Sequence, residues 1–264
     1  MKSSLFSIFN NYPNLICDIS GKKDGAMSSP GFLVGKFDNP KIAENRKNFF
    51  RKMRTSPTAR TLIPSETGIT PESVVTVGSL HNSNVKMVSR KDTGKIIKDI
   101  DGLLTNEKNL FLSLTVADCL PVYLYDPRKE VVGLLHGGWK GVAKDILVGA
   151  VEKISANFGS CAEDILVAIG PGISQCHFEI KEDVLVNFSP FLLKKTLIKR
   201  DKKMFLDLKK IVQIQLLGLG LKKENIEISP DCTFCLHDKY FSYRREKSEI
   251  PKTMIAVIGI KQFA

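Results

Sequence analysis

Runs of apolar residues divide this chain into short strand-like segments and a few helical ones. SVVTVGSLHNSNVKMV reads as two short β-rich runs joined near His81 and Asn82, and NLFLSLTV, CLPVYLYD and VVGLLH follow as three more strands. After a GGWKG turn the period changes. Val142, Ile146, Leu147, Ala150, Val151 and Ile154 recur with the i, i+4, i+8 spacing of an amphipathic helix, and Gly159 supplies its stop. A helix is also expected over residues 41–53, after Asn39-Pro40, from Ile42, Ala43, Phe49, Phe50 and Met53. EDILVAIGPGIS reads as a strand and a glycine turn, FEIKEDVLVNFSPFLLKK as a helix interrupted at Pro190, and DLKKIVQIQLLGLGL as a helix ended by glycines. NIEISPDCTFC gives a short strand and turn, and TMIAVIGI a final apolar strand. SGKKDGAMSSPG reads as a flexible loop, and SPTARTLIPSETGITPES, with three prolines, as a connection. Strand-helix units with embedded antiparallel hairpins make the class α/β or α+β with mixed sheets. No linker or composition break divides the chain, so a single domain over residues 1–264 is expected.

Composition narrows the function classes. The chain is 43% apolar and 25% charged, as in an ordinary globular protein, and no run approaches a membrane-spanning length. The start, MKSSLFSIFNNYPNLICDIS, is interrupted by Asn10, Asn11, Pro13 and Asn14, and reads as a first strand and turn rather than a signal peptide. A net charge of +11 favours anionic substrates such as phosphate. The densest basic cluster (Lys194, Lys195, Lys199, Arg200, Lys202 and Lys203) lacks interleaved aromatics and a recognition helix, so it reads as a solvated face and not a nucleic-acid surface. The six cysteines read as thiols of a reducing, cytoplasmic compartment. Cys232 and Cys235 have CxxC spacing, which suits redox or zinc chemistry, but a lone CxxC fits small buried thiols equally well.

The segment TVADCLPVYLYDPRKEVVGLLHGGWKG carries the candidate chemistry. A turn on residues 126–130 sets Leu120 opposite His136 and Cys119 opposite Gly137. Facing Cα atoms are roughly 4.5–5.5 Å apart and diagonal neighbours stay within reach, so Cys119 and His136 can meet at the open end of the hairpin. Pro121 suits a strand start. GGWKG allows close backbone approach and leads into a helix whose free N–H groups can hold an anion. With His81 at another strand end, a His/Cys/His set with an open fourth position has the pattern of catalytic zinc. The plainer readings are a core thiol for Cys119, a satisfied strand-end histidine for His136 and a turn cap for His81. Asp118 is a candidate partner to a ligand or proton acceptor, and His177, beside Cys176, and His237 are spare ligands. In DKYFSYRREK, the aromatics beside Arg244 and Arg245 form either a solvated strand end or an aromatic wall with a guanidinium clamp.

Taken in order, SLHNSNV, TVADCLPVYLYD, HGGWKG, GPGISQCHFEI, DLKK…QL and CT…YFSYRR resemble the multicopper polyphenol oxidase, or laccase-domain, family, whose members have been reassigned as purine nucleoside phosphorylases with adenosine deaminase and methylthioadenosine phosphorylase activities. The resemblance runs over about residues 24–260. It implies a single-domain, layered α/β/β/α fold with mixed sheets, and a metal, usually zinc, on His81, Cys119 and His136. It also matches Arg244 and Arg245 to the family's FSYRR arginines. Here the QVHG motif reads Ser79-Leu80-His81-Asn82, Gly137 and Lys140 stand for an alanine and an arginine, YEV reads Phe178-Glu179-Ile180, and the RxGGVS-type loop reads KKDGAMS over residues 22–28. Lysine keeps the charge but loses the bidentate fork.

The function expected from these readings is a zinc-containing phosphorylase of adenosine, inosine and methylthioadenosine, with an adenosine deaminase side activity. Asp118, Cys119 and His136 carry the chemistry, and Lys140, Tyr243, Arg244 and Arg245 hold substrate and phosphate. Copper is the alternative metal, and a monomer or homodimer the expected assembly, with purine nucleosides and inorganic phosphate as partners and neither nucleic acid nor membrane. Three other readings stand beside it: a hydrolase with Cys119 as nucleophile and His136 as base, a copper-dependent polyphenol oxidase, and a non-enzymatic metal-binding protein.

Overall fold

The segment MIAVIGI (Met254–Ile260) is apolar at almost every position, and all seven residues are buried. A strand of this kind needs cover on both faces, which calls for layers. The computed structural model describes residues 6–28, 39–53, 69–78, 81–249 and 251–262. In chain order, β1 (Leu15–Ile19) is followed by α1 (Pro40–Lys52), β2 (Val74–Gly78), β3 (Val85–Met87), β4 (Ile96–Lys98) and β5 (Gly102–Thr105). Next come β6 (Phe111–Val116), β7 (Leu120–Asp126), β8 (Val131–Gly137), α2 (Trp139–Ala143) and α3 (Ile146–Phe158). The remainder contains β9 (Leu166–Ile169), β10 (Glu179–Ile180), α4 (Glu182–Leu185), α5 (Pro190–Thr196), β11 (Leu197–Arg200), β12 (Lys203–Leu206) and α6 (Leu208–Gly218). It ends with β13 (Ile226–Ile228), α7 (Tyr243–Glu246) and β14 (Met254–Ile260).

Two mixed sheets form the centre, a five-stranded one ordered β1-β14-β6-β2-β4 and a six-stranded one ordered β13-β9-β7-β8-β5-β3. Period-two alternation divides their side chains between three apolar layers. Met254, Ala256 and Ile258 of β14 meet Tyr123 and Tyr125 of β7 and Val132 and Leu134 of β8 between the sheets. Ile255 and Val257 face Phe49 and Phe50 of α1 on one outer side. Val122 and Leu124 of β7 face α3 and α6 on the other. The result is a single-domain α/β/β/α arrangement. A small antiparallel sheet, β10-β12-β11, lies apart from these two. No helix among the described residues is long and apolar enough to cross a membrane.

Several elements differ from the sequence expectations. The first strand begins only at Leu15, after a 3₁₀ turn at Ser7–Phe9. The helix expected after GGWKG is two helices, because Asp145 takes a left-handed φ of 59° between α2 and α3. Pro190 starts a helix rather than interrupting one: Ser189 caps α5, and proline's missing N–H costs nothing in a first turn. The segment before it opens instead with β10, paired to β12. The basic cluster around Lys199 is largely a β11–β12 hairpin, and Arg244 and Arg245 sit on the short helix α7 rather than on a strand end. Residues 1–5 of the start, 29–31 of the glycine-serine loop, most of the proline-rich connection, and Ser79 and Leu80 lie outside the described residues.

Candidate metal centre and its cavity

The β7–β8 hairpin closes one residue later than the sequence suggests. Leu120 pairs with Gly137 and Pro121 with His136, where Leu120 was expected opposite His136. Asp126 causes the shift. Its Oδ1 accepts the N–H groups of Arg128 (2.8 Å) and Lys129 (3.1 Å), while Glu130 takes a left-handed φ of 51°. This Asx-type turn pairs Asp126 with Val131 and leaves one more residue in the loop. One residue of slip exchanges the faces of a strand. The expected register would have sent Cys119 and His136 to opposite faces. The observed one makes them diagonal neighbours on the face that looks toward the five-stranded sheet. The two residues meet because the expected register is wrong by one.

His81 completes the group from the β2–β3 connection. Ligand atoms of His81, Cys119 and His136 all lie within 4.8 Å of one another, and the two imidazoles meet edge-on with centroids 4.9 Å apart. Gly138 permits the approach. A Cβ there would lie 3.3 Å from both Cys119 Sγ and His81 Cδ2, and 3.5 Å from His136 Cε1. At Gly141 a Cβ would fall 2.7 Å from the carbonyl oxygen of Asn82, so the turn beside His81 also depends on a missing side chain.

Asp101, which the sequence reading passed over, ties the histidines together. It is fully buried just before β5. Its Oδ1 lies 2.8 Å from His136 Nδ1, its carbonyl accepts the His136 N–H (2.7 Å), and its Oδ2 accepts the Asn82 N–H (2.7 Å). One residue thereby orients the His136 ring, extends the ladder beneath it and holds the turn that presents His81. No local pattern in DIDGLL announces this role, because it depends on β5 pairing with β8.

The electrostatics of the group favour the thiolate form of Cys119. Burial alone would push the Cys119 thiol up, but His136 and His81 outweigh it and hold the thiol well below its usual range. Burial likewise opposes charge on His136, yet Cys119 and the Asp101 carboxylate raise it. A thiolate between two imidazoles, one backed by a carboxylate, fits a borderline-soft divalent ion.

The trio opens into a cavity of about 810 Å³. Trp139, Ile173, Phe178, Ile180 and Leu208 give it apolar surface, and Tyr243, Arg244 and Lys181 give it polar and cationic groups. Asp118 also faces the cavity, at a φ of 91° that costs backbone strain. Its carboxylate is held by three donors: Thr233 Oγ1 (2.6 Å), Ser242 Oγ (3.0 Å) and the Arg244 N–H (2.7 Å). These bonds knot the crossing from β6 to β7, where the chain changes sheets, to the loop after β13 and to α7.

The two arginines of α7 diverge. Arg244 lines the cavity, its Nη1 donating to the Glu179 carbonyl at 2.8 Å. Arg245 turns away and donates to the carbonyls of Thr233, Phe234 and Tyr240. Lys140 is exposed and absent from the cavity wall, with its ammonium 5.7 Å from the centre of the Trp139 ring. Tyr243 stands at the wall, 56% exposed. His237 pairs with Asp238 at the surface, and His177 joins a different cluster.

Residues 39–261 match a family described as multi-copper polyphenol oxidoreductase laccase. The chain is 34% identical over 201 residues to purine nucleoside phosphorylase YlmD of Bacillus subtilis, covering 72% of each. It is 28% identical over 186 residues to a purine nucleoside phosphorylase of Bacteroides thetaiotaomicron, covering 66% of this chain and 69% of that one. Among solved structures, the Bacillus licheniformis hypothetical protein YfiH superposes with a TM-score of 0.80 at 28% identity, over 96% of this chain and 94% of that one. YlmD from Geobacillus stearothermophilus gives 0.78 at 25% identity, over 97% and 94%.

Proposed function

This chain belongs to the multi-copper polyphenol oxidoreductase laccase family, and on that premise we propose that it is a metal-dependent purine nucleoside phosphorylase. The observation that carries the reading is the His81–Cys119–His136 group opening into a cavity whose wall combines apolar surface with Arg244. A zinc ion on these three residues would supply a Lewis acid and a means of generating hydroxide near neutral pH. Everything else is done by the chain itself.

Phe178 and the aliphatic wall shelter the flat purine, and Tyr243 covers its open side. Arg244 binds inorganic phosphate, with Lys181 as the second cation among the described wall residues. A phosphate oxygen then attacks C1′ of the ribose as the C1′–N9 bond breaks, the hydrogen phosphate's proton passes to the departing purine, and the free base and ribose 1-phosphate (its 5-methylthio analogue from methylthioadenosine) are released. Water in place of phosphate gives hydrolysis, and water at C6 of adenine gives inosine and ammonia. Asp118, with its carboxylate held by three donors, acts as a positioning residue that sets Arg244 relative to Cys119. Lys140 has no part in phosphate binding, and Arg245 contributes only by holding the loop behind α7.

The test is turnover of adenosine, inosine and methylthioadenosine by metal-replete protein, with and without phosphate. Phosphate-dependent release of ribose 1-phosphate, abolished in Cys119→Ala, supports the reading. A folded, metal-loaded protein that yields neither ribose 1-phosphate nor inosine defeats it.

Two other readings rest on observations of their own. The family description, together with a cysteine and two histidines that also suit copper, favours copper-dependent oxidation of phenols. Oxygen consumption with a phenol, dependent on added copper, would select it. The contact between Cys119 and His136 favours a cysteine nucleophile. Alkylation of Cys119 at the same rate with and without zinc would select that one. If no substrate turns over while metal is retained, a non-enzymatic metal-binding protein is left.

A further inference from the structure

A second set of metal-ligating side chains lies outside the cavity. Cys176, His177, Cys232 and Cys235 bring their ligand atoms within 4.8 Å of one another, and none of the four lines the cavity. Cys176 Sγ is 3.6 Å from both Cys232 Sγ and Cys235 Sγ. His177 Nδ1 is 3.2 Å from Cys176 Sγ and 3.2 Å from Cys235 Sγ. Zinc–sulfur bonds of about 2.3 Å and zinc–nitrogen bonds of about 2.0 Å at tetrahedral angles require S···S edges near 3.8 Å and S···N edges near 3.5 Å. The observed edges are within a few tenths of an ångström of these.

We propose that Cys176, His177, Cys232 and Cys235 form a second, structural site for a tetrahedral zinc-class ion, separate from the centre at Cys119. A disulfide explains the arrangement less well. It would have to choose between two sulfurs that stand at the same 3.6 Å from Cys176 Sγ, and it would leave His177 without a reason to point its Nδ1 at Cys176 and Cys235. The four donors fill a tetrahedron, which is the closed pattern of structural sites.

The surroundings suit bound thiolates. The Ser174 N–H points at Cys232 Sγ at 3.4 Å, and Cys232 bridges Gly172 across the two loops. Phe234 stacks on the His177 imidazole at 4.1 Å and 17°, fixing the ring's direction. Three thiolates and a dication leave one net negative charge. The buried Lys209 ammonium, anchored on the Ser229 and Asp231 carbonyls, lies within electrostatic range of Cys232 and Cys176.

The ion would pin the loop that follows β9 to the loop that follows β13. The first of these leads into Phe178 at the cavity wall. The second holds Thr233, which donates to Asp118, and two carbonyls that receive Arg245. The second centre therefore braces the walls of the first.

The experiment is elemental analysis of protein expressed in zinc-sufficient medium and purified without chelator, followed by cobalt(II) substitution. Wild type should hold about two ions per chain, Cys119→Ala one, Cys235→Ser one and the double variant none. Cobalt-loaded Cys119→Ala should keep most of the thiolate-to-cobalt charge-transfer absorption, since three of the four ligand thiolates remain. Cys235 is exposed, so its serine variant need not disturb the core. If that variant is nonetheless unstable, the cobalt spectrum of Cys119→Ala decides alone. A wild-type metal content in Cys235→Ser, loss of all charge-transfer absorption in Cys119→Ala, or a disulfide among Cys176, Cys232 and Cys235 in freshly isolated protein would each overturn the proposal.

Discussion

The Nδ1 atom of His136 lies 2.8 Å from a carboxylate oxygen of Asp101, a residue with no exposed surface. With Nδ1 engaged by Asp101, the ring meets Cys119 through its other nitrogen, and its plane is fixed. The second Asp101 oxygen holds the Asn82 N–H, so both histidines of the centre answer to one carboxylate.

Replacing Asp101 with Asn removes one of these two acceptors and the charge that supports the imidazole. Metal affinity should fall about 10- to 100-fold, the usual effect of losing such a partner. Competition with a chromophoric chelator measures it. An unchanged affinity would show that Asp101 only builds the fold.

Gly138 should tolerate no side chain if the trio closes on an ion. Its φ of −73° suits any residue, so Gly138→Ala adds no backbone strain. The new methyl instead crowds Cys119 Sγ and His81. Metal occupancy and turnover should drop together while thermal unfolding changes by about 1 kcal/mol or less. A fully loaded, active variant would place the ion elsewhere.

The adjacent arginines should separate cleanly by assay. Arg245→Ala strips donors from three backbone carbonyls and should lower unfolding stability by about 2–4 kcal/mol. Arg244→Ala should leave stability within about 1.5 kcal/mol of wild type and raise the apparent KM for phosphate at least tenfold. Denaturant melts and phosphate titrations of both variants give the comparison, and equal effects on both readouts would refute it.

Asp18 should make the protein more stable in mild acid. Burial pushes its carboxyl from 3.8 up to about 6, with Asp24 adding to the shift and the Ile19 N–H opposing it. Below pH 3.8 both folded and unfolded states hold the proton, and the group contributes its full stability. That contribution is lost as pH rises to about 6, because the folded state must then carry a buried charge. Asp18→Asn should match wild type near pH 4 and exceed it at pH 7 by about 1–2 kcal/mol. The full shift would be worth ~3 kcal/mol, but partial exposure of the side chain screens it. Urea melts across that range check the slope, which should flatten in the variant.

Much of the fold was legible in the sequence. The apolar runs at Val74, Phe111, Leu120, Val131, Leu166 and Met254 are strands, and the helices at Pro40 and Leu208 begin within a residue or two of expectation. These elements are set by local periodicity, which survives without knowledge of neighbours. The short strands at Ile96 and Gly102 and the hairpin at Leu197 were not. β4 and β5 are brief and gain their ladder partners only from strands elsewhere in the chain, while β11 and β12 are partly polar and turn through Asp201 and Lys202, two left-handed residues with no glycine to announce them.

For the site, the residue types and the GGWKG turn were enough to single out Cys119, His136 and His81. Residue identity and glycine placement are written locally, and the demands of a metal on its ligands are chemical. What joined them was tertiary. The extra loop residue held by Asp126 put Cys119 and His136 on one face, the pairing of β5 with β8 brought Asp101 under the imidazole, and the packing of two loops gathered Cys176 and His177 against the lone CxxC. Register and long-range pairing are decided by the summed burial of whole sheets, so no single segment of the sequence contains them.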